Sequence, residues 1–285
     1  MSIKDWVGGV ITDVPVVPTG PYQDGAASGV WTLDQAADYT RQGIWPIAGN
    51  VLPVGQSAYI TVGTFSWVAP TDVTSISVVL VGSGKQGGGI TAGGGGSLGY
   101  KNNITVVPGT SYTLVVPAIS TGTATSIVIG ATTYSVGSTN SNTAGARGGS
   151  TDGGGDGGTG GNGACGGGGG GGGGYSGNGG SGYFSYGAGP NAGSGGGGGG
   201  GGSSQGGGGG VGLLGEGSSG AAGSPGGGGG SGGSDGGVGN AGNPGDYGGG
   251  GGTTGGTGSG RGKGAVRIIW PGDARSFPST RTGDE

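Results

Sequence analysis

Nine consecutive glycines, Gly166–Gly174, and eight more, Gly195–Gly202, leave this chain without side chains over stretches as long as an ordinary strand or helix. Across residues 144–264, 68 of 121 residues are glycine. A tract without Cβ atoms has almost no apolar area to bury. The hydrophobic term that offsets chain entropy is therefore missing there. Either the tract is a flexible spacer, or its backbone groups form the packing themselves.

A spacer needs no register, and this tract has one. Every third residue from Arg147 reads Arg147, Ser150, Gly153, Asp156, Thr159, Asn162 and Cys165, with mostly glycine between. Asp235, Val238, Ala241, Pro244 and Tyr247 recur at the same spacing, beside an all-glycine column at Gly236, Gly239, Gly242, Gly245 and Gly248. A period of three matches the extended left-handed helix of polyproline II type, whose glycine form is polyglycine II. Such a helix has no internal hydrogen bonds, so its N–H and C=O groups must find partners on neighbours. A column facing a neighbour must then be glycine, and a fully surrounded helix must be glycine throughout. This predicts central helices at Gly166–Gly174 and Gly195–Gly202. Segments with mixed columns belong at the edge, side chains outward. The column ending at Cys165 reads as an edge-type helix that becomes interior at Gly166. Nine residues span about 28 Å, and the whole is expected to be a slab of roughly eight to ten such helices. Turns at one end sit near a base and turns at the other form a tip.

The flanks predict that base. Residues 56–143 alternate like β-structure, with strands expected at Tyr59–Trp67, Ser75–Val81, Leu98–Val106, Ser111–Val116, Ser126–Ile129 and Thr132–Val136. After the tract, AVRIIWPG reads as one more strand. A lone strand cannot bury its own apolar face, so Val266, Ile268 and Trp270 are expected to complete the sheet begun by Ser75–Val81. The expected fold is an all-β, sandwich-like base domain (56–143 plus 265–271). A large polyglycine II bundle (144–264) is inserted between two of its strands, and 272–285 form a tail. Residues 1–55 read as an attachment or oligomerisation segment. Its short helix, about 32–42, has Thr32 and Gln35 as a capping box, Gly43 as the C-terminal cap and Pro46 soon after.

Several functions are excluded by composition. The net charge is −4 with no basic run, unlike a nucleic-acid binder. There is no His and only Cys165, so no internal disulfide, cysteine zinc site, metal or cofactor is expected. No paired-carboxylate or nucleophile pattern suggests an enzyme. No apolar run near the start is long enough for a signal peptide, and none predicts membrane insertion. Two turns carry bulky apolar residues, GYFSYGAGPNAG (182–193) and GVGLLGEGSSG (210–220). In a slab with no interior for side chains these are candidate contacts to another molecule; alternatively they pack on each other or on the base and fix the turns. The candidates are Tyr175, Tyr183, Phe184, Tyr186, Asn191, Leu213, Leu214 and Tyr247.

The stretches TFSWVAPTDVTSISVVLVGSG, GGGGSLGYKNNITVVPGTSYTLVV and GRGKGAVRIIWPGDARSFPSTRT resemble the glycine-rich structural proteins of tailed bacteriophages, especially marine and cyanobacterial ones. GVWTLDQAADYTRQGIWP is similar to segments preceding such domains. The tract also resembles the polyglycine sandwich of T-even-like phage tail-fibre adhesins, whose tip loops contact host receptors. Those adhesins do not share the β-flanks seen here. The resemblance implies a virion protein, made in the host cytoplasm and needing no signal peptide. It would be joined to other virion proteins through residues 1–55, would form a homotrimer as fibres commonly do, and would contact a host-surface protein or glycan. The alternative is a purely structural virion component, such as a capsid decoration, head fibre or tail-shaft protein. Ice binding is a third class, disfavoured because no uniform Thr/Ala face appears.

Overall fold

The computed structural model describes residues 33–42, 53–162, 166–185, 188–203, 205–224, 226–237, 242–253 and 262–279. The chain divides into two compact units, Met1–Leu52 and Pro53–Glu285. Of the first, the helix α1 (Leu33–Arg41) is described; Asp34 opens it and Arg41 closes it, each suiting the helix dipole. Arg41 also pairs with Asp38 one turn earlier, at 2.7 Å. The expected caps Thr32 and Gly43, and Pro46, lie outside the described residues.

The second unit holds two antiparallel sheets. One contains β1 (Gly55–Tyr59), β3 (Ser75–Val81), β4 (Leu98–Thr105), β8 (Gly153–Gly155) and β9 (Ala265–Trp270), in the order β1-β9-β3-β4-β8. The other runs β2 (Gly63–Val68), β5 (Ser111–Val116), β6 (Thr125–Ile129), β7 (Thr132–Val136). β9 lies between β1 and β3, antiparallel to both, with Val79 opposite Arg267 and Ala58 opposite Arg267 on its other side. The strand expected at 59–67 is instead two, β1 and β2, placed in different sheets. Gly153–Gly155 form an unexpected edge strand against Leu98–Tyr100. Glycine is needed there because a Cβ on Gly153 would enter the Tyr100 ring.

The alternation along β3 and β9 explains a third layer. Val78, Leu80, Val266, Ile268 and Trp270 face the second sheet and pack with Trp67, Leu114, Ile127 and Val136. Val79, Val81, Ala265 and Ile269 face the other way, against Tyr175, Val211, Leu213 and Phe277. Every residue of β9 is buried. A strand covered on both faces reads as a near-continuous apolar run, which SISVVLV and AVRIIW are apart from their serines and Arg267. The second face is covered by turns of the glycine tract.

Beyond the sheet the period of hydrogen bonding changes from two to three. β3 and β4 pair residue by residue up to Val81 and Leu98. The same two chains then continue outward as a glycine hairpin. Gly82 N–H donates to Ser97 O, Lys85 to Gly94 and Gly88 to Thr91, one bond per three residues. Residues 82–97 therefore belong with the glycine segments, although the sequence placed them in the β-domain.

Gly166–Gly174 shows the arrangement most fully. Gly168 and Gly171 donate to Tyr183 and Gly180, Gly169 and Gly172 to Gly206 and Gly209, and Gly170 and Gly173 to Gly93 and Gly96. The carbonyls accept at the same interval, Gly168 and Gly171 from Gly161 and Gly158, Gly169 and Gly172 from Gly201 and Gly198, and Gly167 and Gly170 from Thr253 and Gly250. One segment thus bonds to six others. Gly195–Gly202 also bonds to six segments, and so does Gly206–Gly210, which the sequence reading did not single out. Backbone oxygens stand where Cβ atoms would be: Gly158 O at Gly170, Gly198 O at Gly171, Gly209 O at Gly198.

The outward column is partly as expected. Asp156 and Asn162 are exposed and Thr159 half-buried, while Gly157, Gly158, Gly160 and Gly161 are buried. The continuation into Gly166 is not as expected. Gly158 and Gly161 donate to Gly171 and Gly168, so 156–162 and 166–174 are separate antiparallel segments with a reversal between them. Cys165 lies outside the described residues, as do Val238, Gly239 and Ala241 of the second column.

Candidate functional site

The glycine segments have two distinct ends. Gly173 bonds beside Gly96, close to β4, and Gly170 bonds to Gly93, farther along the hairpin. The C-terminal end of 166–174 is therefore the sheet end. Following each segment by its bonds, the turns near 175–177, 194–197, 211–219, 231–233 and 246–247 lie at the sheet end. Residues 86–91, 183–185, 203–205 and the flanks of 225 lie at the far end.

This splits the candidate contact residues. Tyr175 is fully buried at the sheet end, and its expected exposure is wrong. Its ring packs on Tyr100 and Phe277 at centroid distances of 6.2 and 6.0 Å. Its hydroxyl donates to Gly212 O and accepts from Gly215 N–H, both at 3.1 Å. Burial pushes that hydroxyl far above tyrosine's ordinary range, with the Gly215 bond and the Arg267 charge acting the other way. Leu213 is likewise buried under the sheet, so loop 210–220 lies at the sheet end of the glycine segments and not at their far end. Leu214 is exposed, but at this same end. Tyr247 is half-buried against the second core cluster, and burial, then the nearby Asp246, raises its hydroxyl pKa.

Tyr183, Phe184 and Asn191 lie elsewhere. Tyr183 N–H donates to Gly201 O and its carbonyl accepts from Gly168 N–H, so the loop is tied to two interior segments, while Phe184 N–H donates to Ala188 O within the loop. Tyr183 and Phe184 are both half-buried, and Asn191 is exposed on the flank one bonding step from Ser181. Tyr186 lies outside the described residues. Asn162 connects this loop to a neighbour. Ser185 N–H and Oγ donate to Asn162 O, and Thr91 bridges Asn162 from the 86–91 loop. Asn142 Nδ2 adds a bond to Asn162 Oδ1 at 3.1 Å. That neighbouring loop carries Ile90, which is 68% exposed. The sequence signal for Ile90 was a single large apolar residue inside GGGITAGGGG, in a stretch assigned to the β-domain. Neither 86–91 nor 183–185 contains a charged residue. Far-end loops with Tyr183, Phe184 and Ile90 thus offer uncharged, partly apolar area on a rigid support.

Among the described residues no cluster of acidic residues or cysteine could hold a metal ion. No described helix is long and apolar enough to cross a membrane. No protein-family model matches the chain, and no curated protein matches it.

Proposed function

We propose that the glycine segments are a polyglycine II bundle inserted in the β-domain, and that the protein is a virion component presenting the far-end loops to a host-surface receptor. Bonds at every third residue, six partners per central segment and carbonyls at the Cβ positions support the bundle. Receptor presentation is carried by one observation, the unequal ends. At the sheet end Tyr175, Val211 and Leu213 are buried and Leu214 is the exposed exception among the apolar turn residues, whereas the far end leaves Ile90 exposed beside the Tyr183–Phe184 loop. Residues on loops held by a rigid scaffold are where binding usually resides. In this reading the protein is a tail-fibre or adhesin part. Residues 1–55 attach it to other virion proteins, it assembles as a trimer, and Tyr183, Phe184, Tyr186, Asn191 and Ile90 contact the receptor.

Adsorption tests it. Replacing 183–186 with Gly/Ser and Ile90 with Ser is expected to lower the adsorption rate at least about tenfold, the loss of roughly 1.4 kcal/mol of binding. Virions should still assemble. Unchanged adsorption removes the receptor role and leaves a purely structural virion component.

A further inference from the structure

A second place on the molecule has the form of a ligand site, at the sheet end, away from the far-end loops. A cleft of about 640 Å³ opens between the face of β1 and three feet of the glycine bundle. That volume falls within the small-molecule range. Its floor is Arg267, whose guanidinium bonds Gln56 Oε1 and Leu213 O. Its rim carries Ile60 and Leu214, 42% and 55% exposed, with Tyr247 between the feet. Gly232 contributes open space, since no atom stands within 4 Å of its Cβ position.

The walls are fixed before any ligand arrives. Ser234 N–H donates to Asp246 O, and Asp246 N–H donates to Ser234 Oγ at 2.7 Å. Asp246 Oδ1 accepts from Gly262 N–H at 3.2 Å. Among the described residues Asp246 Oδ2 and the Tyr247 hydroxyl have no hydrogen-bond partner, and no ion pair involves Asp246. The charged residues lining the cleft are Asp246 and Arg267, whose charges cancel.

We propose that this cleft binds a neutral pyranose unit of a carbohydrate. A pyranose has a hydroxyl edge and a C–H face. The edge suits the open acceptor of Asp246 and the Tyr247 hydroxyl. The C–H face suits Leu214 and Ile60, which would otherwise remain in water. The lining charges balance, so a charged sugar of either sign gains no net attraction over a neutral one. The site lies at the opposite end from the far-end loops, so the adsorption variant leaves it intact and the two readings fail independently.

Saturation-transfer NMR on the full chain tests it, with methyl α-D-glucopyranoside, methyl α-D-mannopyranoside and methyl β-D-galactopyranoside as probes. Transfer to ring protons of at least one probe is expected. Ala58 is exposed on β1 and lines the cleft. Ala58→Trp, compatible with a strand, is expected to fill the cleft and abolish transfer while the melting temperature holds. Asp246→Asn keeps the bond from Gly262 and is expected to weaken the Kd about tenfold, the loss of one charge-assisted bond. No transfer from any probe overturns the proposal. So does transfer that persists unchanged in both variants.

Discussion

Gly170→Val is expected to abolish cooperative folding of the glycine segments, and Gly170→Ala to lower their melting temperature sharply. Gly170 N–H donates to Gly93 O and its carbonyl accepts from Gly250 N–H. A Cβ there would fall on the Gly158 carbonyl, whose oxygen already accepts from Gly95 N–H. Overpacking an ordinary core costs about 1–3 kcal/mol because side chains can move aside. Here the obstructing atoms are backbone, each already committed to a hydrogen bond. Gly158 cannot retreat without breaking its bond to Gly171, and each net bond is worth about 1 kcal/mol. Thr159, next to Gly158, provides the contrast. Its side chain faces outward and loses only a 3.0 Å bond to Ser181 Oγ in Thr159→Val, so a change within about 1 kcal/mol is expected. Thermal unfolding and limited proteolysis of the pair decide the matter. Equal melting of Gly170→Val and Thr159→Val would mean that the tract is a spacer.

That pair also shows what was readable in the sequence and why. Glycine at 170 and threonine at 159 follow from a packing rule that acts residue by residue, so the period of three is written into the chain. The strands SISVVLV and AVRIIW were readable for the same reason, since both faces are covered and all but Ser75, Ser77 and Arg267 are apolar. The ends of the bundle were not readable. Tyr175 and Tyr183 are both tyrosines in glycine-rich turns, yet one is buried under the sheet and the other sits at the far end. What separates them is parity. From Gly155 in β8 the chain runs outward, returns along 166–174 and reaches the sheet at Tyr175. It runs outward again to Tyr183 and returns to 194–197. Counting passes assigns each turn to an end, but only if no reversal is missed. The reversals between Asn162 and Gly166 and at 194–197 carry no bulky residue or proline, and each missed reversal inverts every later assignment. Arg267 was unreadable for a different reason. Gln56 and Leu213, which its guanidinium bonds, lie 211 and 54 residues away along the chain.

Tyr175→Ala is expected to uncouple the glycine bundle from the sheet, at a cost of about 3–5 kcal/mol, as for other large buried aromatics. The ring plugs the junction where Tyr100 of β4 and Phe277 meet the returning segment. Tyr175→Phe separates the ring from the hydroxyl. It keeps the stacking but leaves Gly212 C=O and Gly215 N–H buried without the oxygen that joins them, a cost of about 1–3 kcal/mol. The hydroxyl adds a signature in pH. Its folded pKa is raised above tyrosine's ordinary 10 by burial, so above that pH the unfolded chain loses a proton that the folded one keeps. The stabilisation is full below about pH 10 and is lost as pH rises beyond it. Tyr59, Tyr100 and Tyr247 are raised in the same direction, also chiefly by burial. Alkaline destabilisation should therefore persist in Tyr175→Phe but be shallower than in the parent. Melting temperatures from pH 8 to about pH 11 measure the difference. Identical slopes would mean that the Tyr175 hydroxyl reaches water, and that the sheet end of the bundle is open where the packing has it closed.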